Sequence, residues 1–418
     1  MSKTPLIDHL HAAWQRGPVS EVRFGSQRAV LVTGPADTLR VLVQDAASYT
    51  KQAHRARVLL GDGLIVATGD PWKRQRRTLQ PHFTAPAVRR YAQHINGAAQ
   101  RVARRWDALA DTGEPTDIGQ DMRFFALDTI WRLLTGTALD ARTESELAAI
   151  DTVVAALPTT GSTPSGGPES GDQDGGGPPV GDQTSEGQDS DGQDSGDQAQ
   201  AAALARIDAV AARAIAAARE DGPAAKTGIL HSLTDLPDRL LRDELVTLIV
   251  AGHETTATAL SWLHLLLDQH PQWREWALRE GPAGYQALVG EALRLYPSVW
   301  LMPRHAAVTT ELGGHTIEAG TRVLVCPYLT QRDPSWWPAA TSFDPRRFAA
   351  RPHPGTYQPF GVGARACLGQ HFSLRETQVL LETLLPHFTP RFTGQRPVPV
   401  FGVTLRPRGP LTATLHRR

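Results

Sequence analysis

The sequence predicts a mainly α-helical protein with small β-sheets, built as a single large helical domain. Apolar residues recur at helical spacing along most of the chain. One apolar run, residues 243–270, would make a helix of roughly 28 residues, about 42 Å at 1.5 Å per residue. Strand-like alternation is confined to short stretches that do not alternate with helices as in doubly wound folds. The length of 418 residues calls for two domains or one large helical one, and the helical pattern favours the second.

Residues 21–24 and 29–32 alternate as strands, and Gly25-Ser26-Gln27 between them suits a hairpin turn. Helical spacing then covers 36–43, 72–80, 87–107 and 126–134, with Leu127, Ile130, Leu133 and Leu134 on one face, and a further helix covers 144–156. Residues 158–198 break the pattern. This stretch is Gly, Ser, Pro, Gln and Asp with nine acids and no base, so the rest of the chain carries a net +9. Such a composition cannot bury enough surface to fold, and a disordered insertion in the domain is expected. After it come an alanine-rich helix over 199–220, the long helix, and a helix over 284–295. Residues 314–327 read as a hairpin, with strands at 316–317 and 323–325 around Glu318-Ala319-Gly320. A last helix, 367–385, follows an irregular Pro/Gly-rich run.

Hydrophobic residues make up 41% and charged residues 21%, enough apolar mass for a real core. Lys plus Arg (43) equals Asp plus Glu (43), so the total charge points to no nucleic-acid partner. Two cysteines, Cys326 and Cys367, cannot build a disulfide framework or a four-cysteine zinc site, and they suit a reducing cytoplasm. No apolar run approaches the ~18 residues of a membrane span. The start, Met1 to Pro5, lacks the apolar core of a signal peptide. A cytoplasmic monomer without a membrane partner is the expectation.

Three local patterns fail on context. Gly361-Val362-Gly363-Ala364-Arg365-Ala366 matches part of a dinucleotide fingerprint, but no βαβ unit surrounds it. His253-Glu254 begins like a zinc-protease helix, yet the position of the second ligand is Ala257. A thiol nucleophile at Cys367 could pair with His371 one turn on, with nothing else to support it. What survives is Cys367 itself, presented on a glycine-rich turn just before a helix. Backbone N–H groups there would favour a thiolate. The glycines allow a flat ligand to approach the backbone, and Arg365 supplies donors suited to a carboxylate.

The run Phe360-Gly361-Val362-Gly363-Ala364-Arg365-Ala366-Cys367-Leu368-Gly369 resembles the haem-binding signature of the cytochromes P450, the haem-thiolate monooxygenases. The resemblance implies the cytochrome P450 fold over residues 1–418, interrupted by the insertion. It implies Cys367 as the axial ligand of haem b, with Phe360, Gly361, Arg365 and Gly369 around it. Cys326, in an apolar run, reads as a small core residue. Glu291 and Arg294, one helical turn apart, resemble the family's Glu–Arg–Arg structural cluster, with Arg347 as its third member. Arg346 stands where the family usually has glutamate. Trp72 and Arg76, and further on Arg304, resemble residues that contact haem propionates.

Ala251-Gly252-His253-Glu254-Thr255-Thr256 lies within the long helix. Gly252 costs ~1 kcal/mol relative to alanine, and Thr255 can compete for a backbone carbonyl, so a local kink or widening is expected. The stretch resembles the family's acid–alcohol pair, which implies that Glu254 and Thr255 deliver protons to bound dioxygen. Carried over likewise, Val250, Ala251, Val299, Trp300, Leu301, Met302, Val403 and Thr404 line an apolar pocket. The implied reaction uses O2 as co-substrate to oxygenate a lipophilic terpenoid, fatty acyl chain or polyketide-like molecule. Two electrons come from NAD(P)H through a ferredoxin or flavodoxin and its reductase, docking near Lys73, Arg74, Arg77 and Arg375. A peroxide-driven reaction and a non-catalytic haem- or ligand-binding protein are the alternatives. The Glu254-Thr255 pair argues against both.

Overall fold

A computed structural model of the chain describes residues 6–24, 27–156, 190–220 and 228–418. The chain opens with α1 (Leu6–Trp14) and the strands β1 (Val19–Phe24) and β2 (Gln27–Val32), paired antiparallel with Val19 opposite Val32. The hairpin's turn, residues 25 and 26, lies outside the described residues. α2 (Pro35–Leu39) runs into a wide π turn over Arg40–Gln44, and β3 (Tyr49–Thr50) and α3 (Arg57–Leu60) follow. α4 (Gly69–Leu79) carries Trp72 and Arg76. The helix expected over 87–107 is two, α5 (Ala85–Arg90) and α6 (Ala92–Thr112), which part at Tyr91 where ψ rises to 10°.

After β4 (Thr116–Asp117), α7 (Ile118–Thr135) starts where the Asp117 carboxylate accepts the Gly119 N–H at 2.9 Å, and it ends at Gly136 with φ 81°. A capping carboxylate and a left-handed glycine are the ordinary signals for those two positions. α8 (Ala141–Leu147) and α9 (Ala149–Ala156) replace the single helix expected over 144–156. α10 (Ser190–Glu220) begins inside the stretch assigned to the insertion, and residues 158–189 of that stretch lie outside the described residues. α11 (Asp238–Gln269) has 32 residues, about 48 Å, and starts earlier than its apolar pattern implied. The turn it gains, Asp238 to Arg242, sets three charged residues around Leu240 and Leu241 and so falls outside an apolar run. α12 (Pro271–Glu280) was not expected at all. It is short and polar, opened by Pro271 and closed by Gly281 at φ 63°.

α13 (Pro282–Leu295) leads to the strands β5 (Met302–Ala306), β6 (Thr310–Leu312), β7 (His315–Ile317) and β8 (Arg322–Val325). The hairpin expected over 314–327 does not form. β7 pairs with β6, whereas β8 pairs in parallel with β2 and antiparallel with β5. The turn at Glu318–Gly320 exists, with the Thr321 N–H donating to the Glu318 carbonyl at 3.1 Å, but it passes the chain from one sheet to another. The resulting five-stranded sheet has the order β1-β2-β8-β5-β3. α14 (Pro327–Thr330), α15 (Gln370–Leu384) and the strands β9 (Phe388–Phe392), β10 (Pro399–Phe401), β11 (Leu405–Pro407) and β12 (Thr412–Arg417) complete the chain.

The main core gathers α6, α7, α11 and α15 around Phe125, Met122, Trp106, Leu260 and Leu380, all fully buried. Each such side chain contributes roughly 1.5–3 kcal/mol by leaving water. α11 stays α-helical through Gly252, so the helix does not widen there, while the Thr255 hydroxyl takes up the Ala251 carbonyl as expected. The missing Cβ serves packing instead: built at Gly252, it would lie 3.1 Å from Cγ1 of Ile130 on α7.

Candidate active site around Cys367

The glycine-rich loop that leads into α15 is folded tightly on its own backbone. The Cys367 N–H donates to the Phe360 carbonyl at 2.7 Å, and the Ala366 N–H to the Gly363 carbonyl at 3.0 Å. Gly361 (φ 66°) and Gly363 (φ 78°) occupy the left-handed region, and a Cβ on Gly363 would strike the Leu42 carbonyl oxygen at 2.3 Å. Only glycine permits that approach. Cys367 lies deep among protein atoms, yet its side chain is exposed on one side. Burial pushes its pKa up, while the Gly369 N–H and the Arg76 guanidinium pull it down. A Cβ on Gly369 would meet nothing within 4 Å, so the backbone beside the sulfur is open to a flat ligand. His371 is exposed on the first turn of α15, with no hydrogen bond to Cys367 among the described contacts.

Four cations converge on this loop. Arg76 donates to the Ala366 carbonyl at 2.9 Å, and Arg365 donates to the Ala67 carbonyl at 2.9 Å while stacking 4.4 Å above the Trp72 ring. Arg304, on β5, is pushed down to about 10 by burial and by Arg365. Lys51 is pushed down to about 8 by burial, with Arg304 and Arg365 adding to it. Among the described residues no carboxylate lies within ion-pair distance of any of the four. All four are partly accessible, and like charges gathered at half-buried positions repel one another, so the cluster suits an anionic group that the described residues do not provide. A flat group bearing carboxylates, ligated by a thiolate, fits this donor set, as haem does. Sequence reasoning missed Lys51. β3 pairs with β5 so that Thr50 opposes His305, and the next pair in that register sets Lys51 opposite Arg304.

The structural cluster is complete. Arg294 donates twice to Glu291, at 2.7 and 2.8 Å, and to the carbonyls of Gln331, Ala340 and Ser342. Arg347 reaches the same carboxylate at 3.3 Å, and the Asp344 N–H donates to it at 3.0 Å. Arg346 is apart from this cluster, pairing with Asp344 and lying 5.0 Å over the Trp273 ring.

On α11, Val250, Ala251, Glu254 and Thr255 form a partly accessible stripe on a helix whose flanking turns are buried. Thr256, next in sequence, faces the other way. Its hydroxyl donates to the buried Glu376 carboxyl at 2.9 Å and lies 3.3 Å from Ser373, both on α15. This contact fixes the register of α11 against the helix that follows Cys367. Burial pushes the Glu376 pKa well above the usual carboxylate range, and the Thr256 hydroxyl pulls it down. The Thr255 hydroxyl donates to the Ala251 carbonyl at 2.7 Å, and Ser298 donates to the Thr255 carbonyl at 2.7 Å. Glu254 accepts from Thr404 at 2.7 Å.

Of the expected pocket residues, Val299 and Val403 are exposed and Met302 is partly so, its sulfur 3.6 Å from a Cβ built on Gly361. Thr404 is buried, and its hydroxyl donates to Glu254 at 2.7 Å. Trp300 and Leu301 are core residues. The Trp300 indole donates to the Gly402 carbonyl at 2.8 Å and packs edge-on to Phe401. Trp300 and Leu301 both precede β5 and pack in one buried cluster with Leu324 and Leu405.

The family model described as "Cytochrome P450" matches residues 6–166 and 285–412. Cyclooctatin synthase of Streptomyces melanosporofaciens is 28% identical, over 99% of this chain and 90% of its own length. Cyclooctat-9-en-7-ol 5-monooxygenase of the same organism is 28% identical, over 96% and 89% respectively. A six-coordinated cytochrome P450 from Thermus thermophilus superposes with a TM-score of 0.72 at 27% identity, covering 98% of this chain and 99% of that one. The haem domain of cytochrome P450DA, at 20% identity, shares the fold with a TM-score of 0.82, covering 100% and 94%. Among the described residues no helix is long and apolar enough to cross a membrane. The family match takes in the cysteine loop, the ion-pair cluster and most of the remaining chain, and the chain belongs to the cytochrome P450 family of monooxygenases.

Proposed function

We propose that the chain is a haem-thiolate monooxygenase that transfers one oxygen atom of O2 to a lipophilic small molecule of terpenoid, fatty acyl or polyketide type. Its two electrons come from NAD(P)H through a ferredoxin or flavodoxin and its reductase. The observation that carries this reading is the exposed side of Cys367 amid four cations that lack any carboxylate partner among the described residues. Haem b bound there would supply iron for O2 chemistry, which a thiolate ligand favours. Cys367 would ligate the iron. Lys51, Arg76, Arg304 and Arg365 would hold the carboxylates, with Trp72 as the platform under Arg365.

Thr255 and Glu254 would manage protons on the accessible stripe of α11. The Thr255 hydroxyl donates to Ala251 at rest and must rotate off that carbonyl to donate to a ligand. Thr404 occupies one oxygen of Glu254, leaving the other to exchange a proton. Val250, Ala251 and Val299 offer apolar, uncharged surface, which suits a lipophilic substrate. The two Streptomyces relatives are named for cyclooctatin and for an alkenol, which fits a substrate of that kind.

The test has two parts. Reduced protein under carbon monoxide should show the far red-shifted Soret band of a thiolate-ligated haem. A lipophilic compound that shifts the resting haem band should then be oxygenated with NADPH, a ferredoxin and its reductase. Absence of the thiolate band would overturn the ligation, and turnover with peroxide but none with O2 and reductant would overturn the electron route.

A further inference from the structure

Two buried acids stand at the start of α11, on turns the proposed chemistry does not use. Asp243 and Glu244 are 3% and 1% exposed, and both accept backbone N–H groups from the segment after α3. The Asp62 N–H donates to Asp243 Oδ2 at 2.8 Å, and the Leu64 N–H donates to Glu244 Oε2 at 3.2 Å. Glycine makes this approach possible. A Cβ on Gly61 would fall 2.1 Å from Asp243 Oδ1, and one on Gly63 would fall 2.2 Å from Thr247 Oγ1. The second oxygen of Glu244, Oε1, is buried with no hydrogen-bond partner among the described residues, as is Thr247 Oγ1 one turn further on. Past Leu64 the segment runs through buried Val66 to Ala67, whose carbonyl accepts from Arg365. Residues 61–67 thus strap the start of α11 to the loop of Cys367.

We propose that Glu244 is a proton-controlled fastening of this strap: protonated, it holds Leu64 against α11, and ionised, it lets the segment lift. An ionised Glu244 would accept the Leu64 N–H more strongly. It would also bury a second negative charge beside Asp243 and leave Oε1 charged without a donor, and desolvation of that charge outweighs one strengthened bond of 3.2 Å. Among the described residues no cation pairs with Glu244. Arg242 is committed to Asp243, Asp208 and the Leu59 carbonyl, while Arg57 and Arg239 face Asp62 on the strap's outer side. Burial raises the Glu244 pKa to about 7, with the Leu64 N–H pulling it down and Asp243 pushing it up. In the lifted strap the carboxyl returns to its ordinary value of 4.5. The fastened state therefore binds the extra proton. Its advantage is complete below 4.5, is lost as pH rises to about 7, and is constant above that.

The experiment is amide hydrogen exchange across residues 61–67 of the full-length protein between about pH 4.5 and 8, corrected for the intrinsic rate. Protection at Leu64 should fall by up to roughly tenfold per pH unit, the limit for one linked proton, and then level off above about pH 7. Glu244→Gln should keep Leu64 protected and remove the slope. Asp243→Asn should leave a slope that ends at lower pH, because Glu244 then ionises more readily. A flat profile in the wild type, a slope that persists in Glu244→Gln, or an equal loss of protection in the amides of α7 would overturn the proposal. The readout needs neither cofactor nor turnover, so it stands or falls apart from the oxygenase reading.

Discussion

Lys51 shows what single residues at this site ask for. Its amine is pushed down to about 8 by burial and by Arg304 and Arg365, against an ordinary 10.5. Without an anion, the unfolded chain holds the Lys51 proton more tightly than the folded one. The stability of the apoprotein should therefore rise with pH between about 8 and 10.5 relative to Lys51→Met. Denaturant midpoints of the two should diverge over that window and run parallel once haem is bound. The cysteines divide as cleanly. Cys326 is fully buried against the Trp300 carbonyl, and burial pushes its thiol up to about 12, so it is an inert core thiol. Cys326→Ala should keep the carbon monoxide band of the reduced protein, and Cys367→Ala should lose it. Thr255→Ala should retain that band while diverting reducing equivalents to peroxide; an unchanged product yield per NADPH would remove Thr255 from proton delivery. Cys367 was legible in sequence because its glycines are needed locally, as Gly363 against Leu42 shows. Lys51 was not, because it meets Arg304 only through a strand pairing about 255 residues apart in the chain.

At the scale of elements, α13 and the segment after α14 are joined by the Glu291 carboxylate. It takes two hydrogen bonds from Arg294 and one each from Arg347 and the Asp344 N–H, and Glu291 and Arg294 are both fully buried. Removing one partner of such a pair leaves a buried charge unmatched, which typically costs about 3–5 kcal/mol. Glu291→Ala should lose roughly that much in chemical denaturation, a greater loss than that of any exposed pair such as Arg23–Glu21. The i, i+3 spacing of Glu291 and Arg294 made their pairing legible, whereas the carbonyls that complete the Arg294 shell come from 37 to 48 residues downstream. The hairpin misread over 314–327 has a similar cause. Gly320, at φ 83°, tells where the chain turns, while strand partners depend on what else reaches the sheet. Here β2 arrives from the other end of the chain and takes β8. Thr404 belongs to this scale too, since the turn between β10 and β11 holds it against Glu254 on α11.

Across the whole molecule, charge is unevenly spread. The zero net charge combines the acidic stretch 158–198 with a remainder of +9, which favours the approach of an acidic partner to that remainder as a whole. Not every base expected at such a surface is free to serve. Lys73 pairs with Asp70 at 3.0 Å and Arg375 approaches Glu382 at 3.8 Å. Arg74 and Arg77 are exposed on α4, the helix that also carries Arg76 against the Cys367 loop, and no ion pair engages them among the described residues. With haem held at Cys367 as proposed, charge on this helix lies close to where the electron must arrive, so steering there should act on the association rate. Arg74→Glu with Arg77→Glu should slow reduction by an acidic ferredoxin by about tenfold or more at low ionic strength. The gap between variant and wild type should narrow as salt screens the surface, with a Debye length of roughly 8 Å at about 0.15 M. Both substitutions are on exposed positions, so the carbon monoxide band should be unchanged, and stopped-flow reduction at several salt concentrations reads the effect directly. Equal rates for the two proteins at low salt would mean that the ferredoxin approaches from a face other than that of α4.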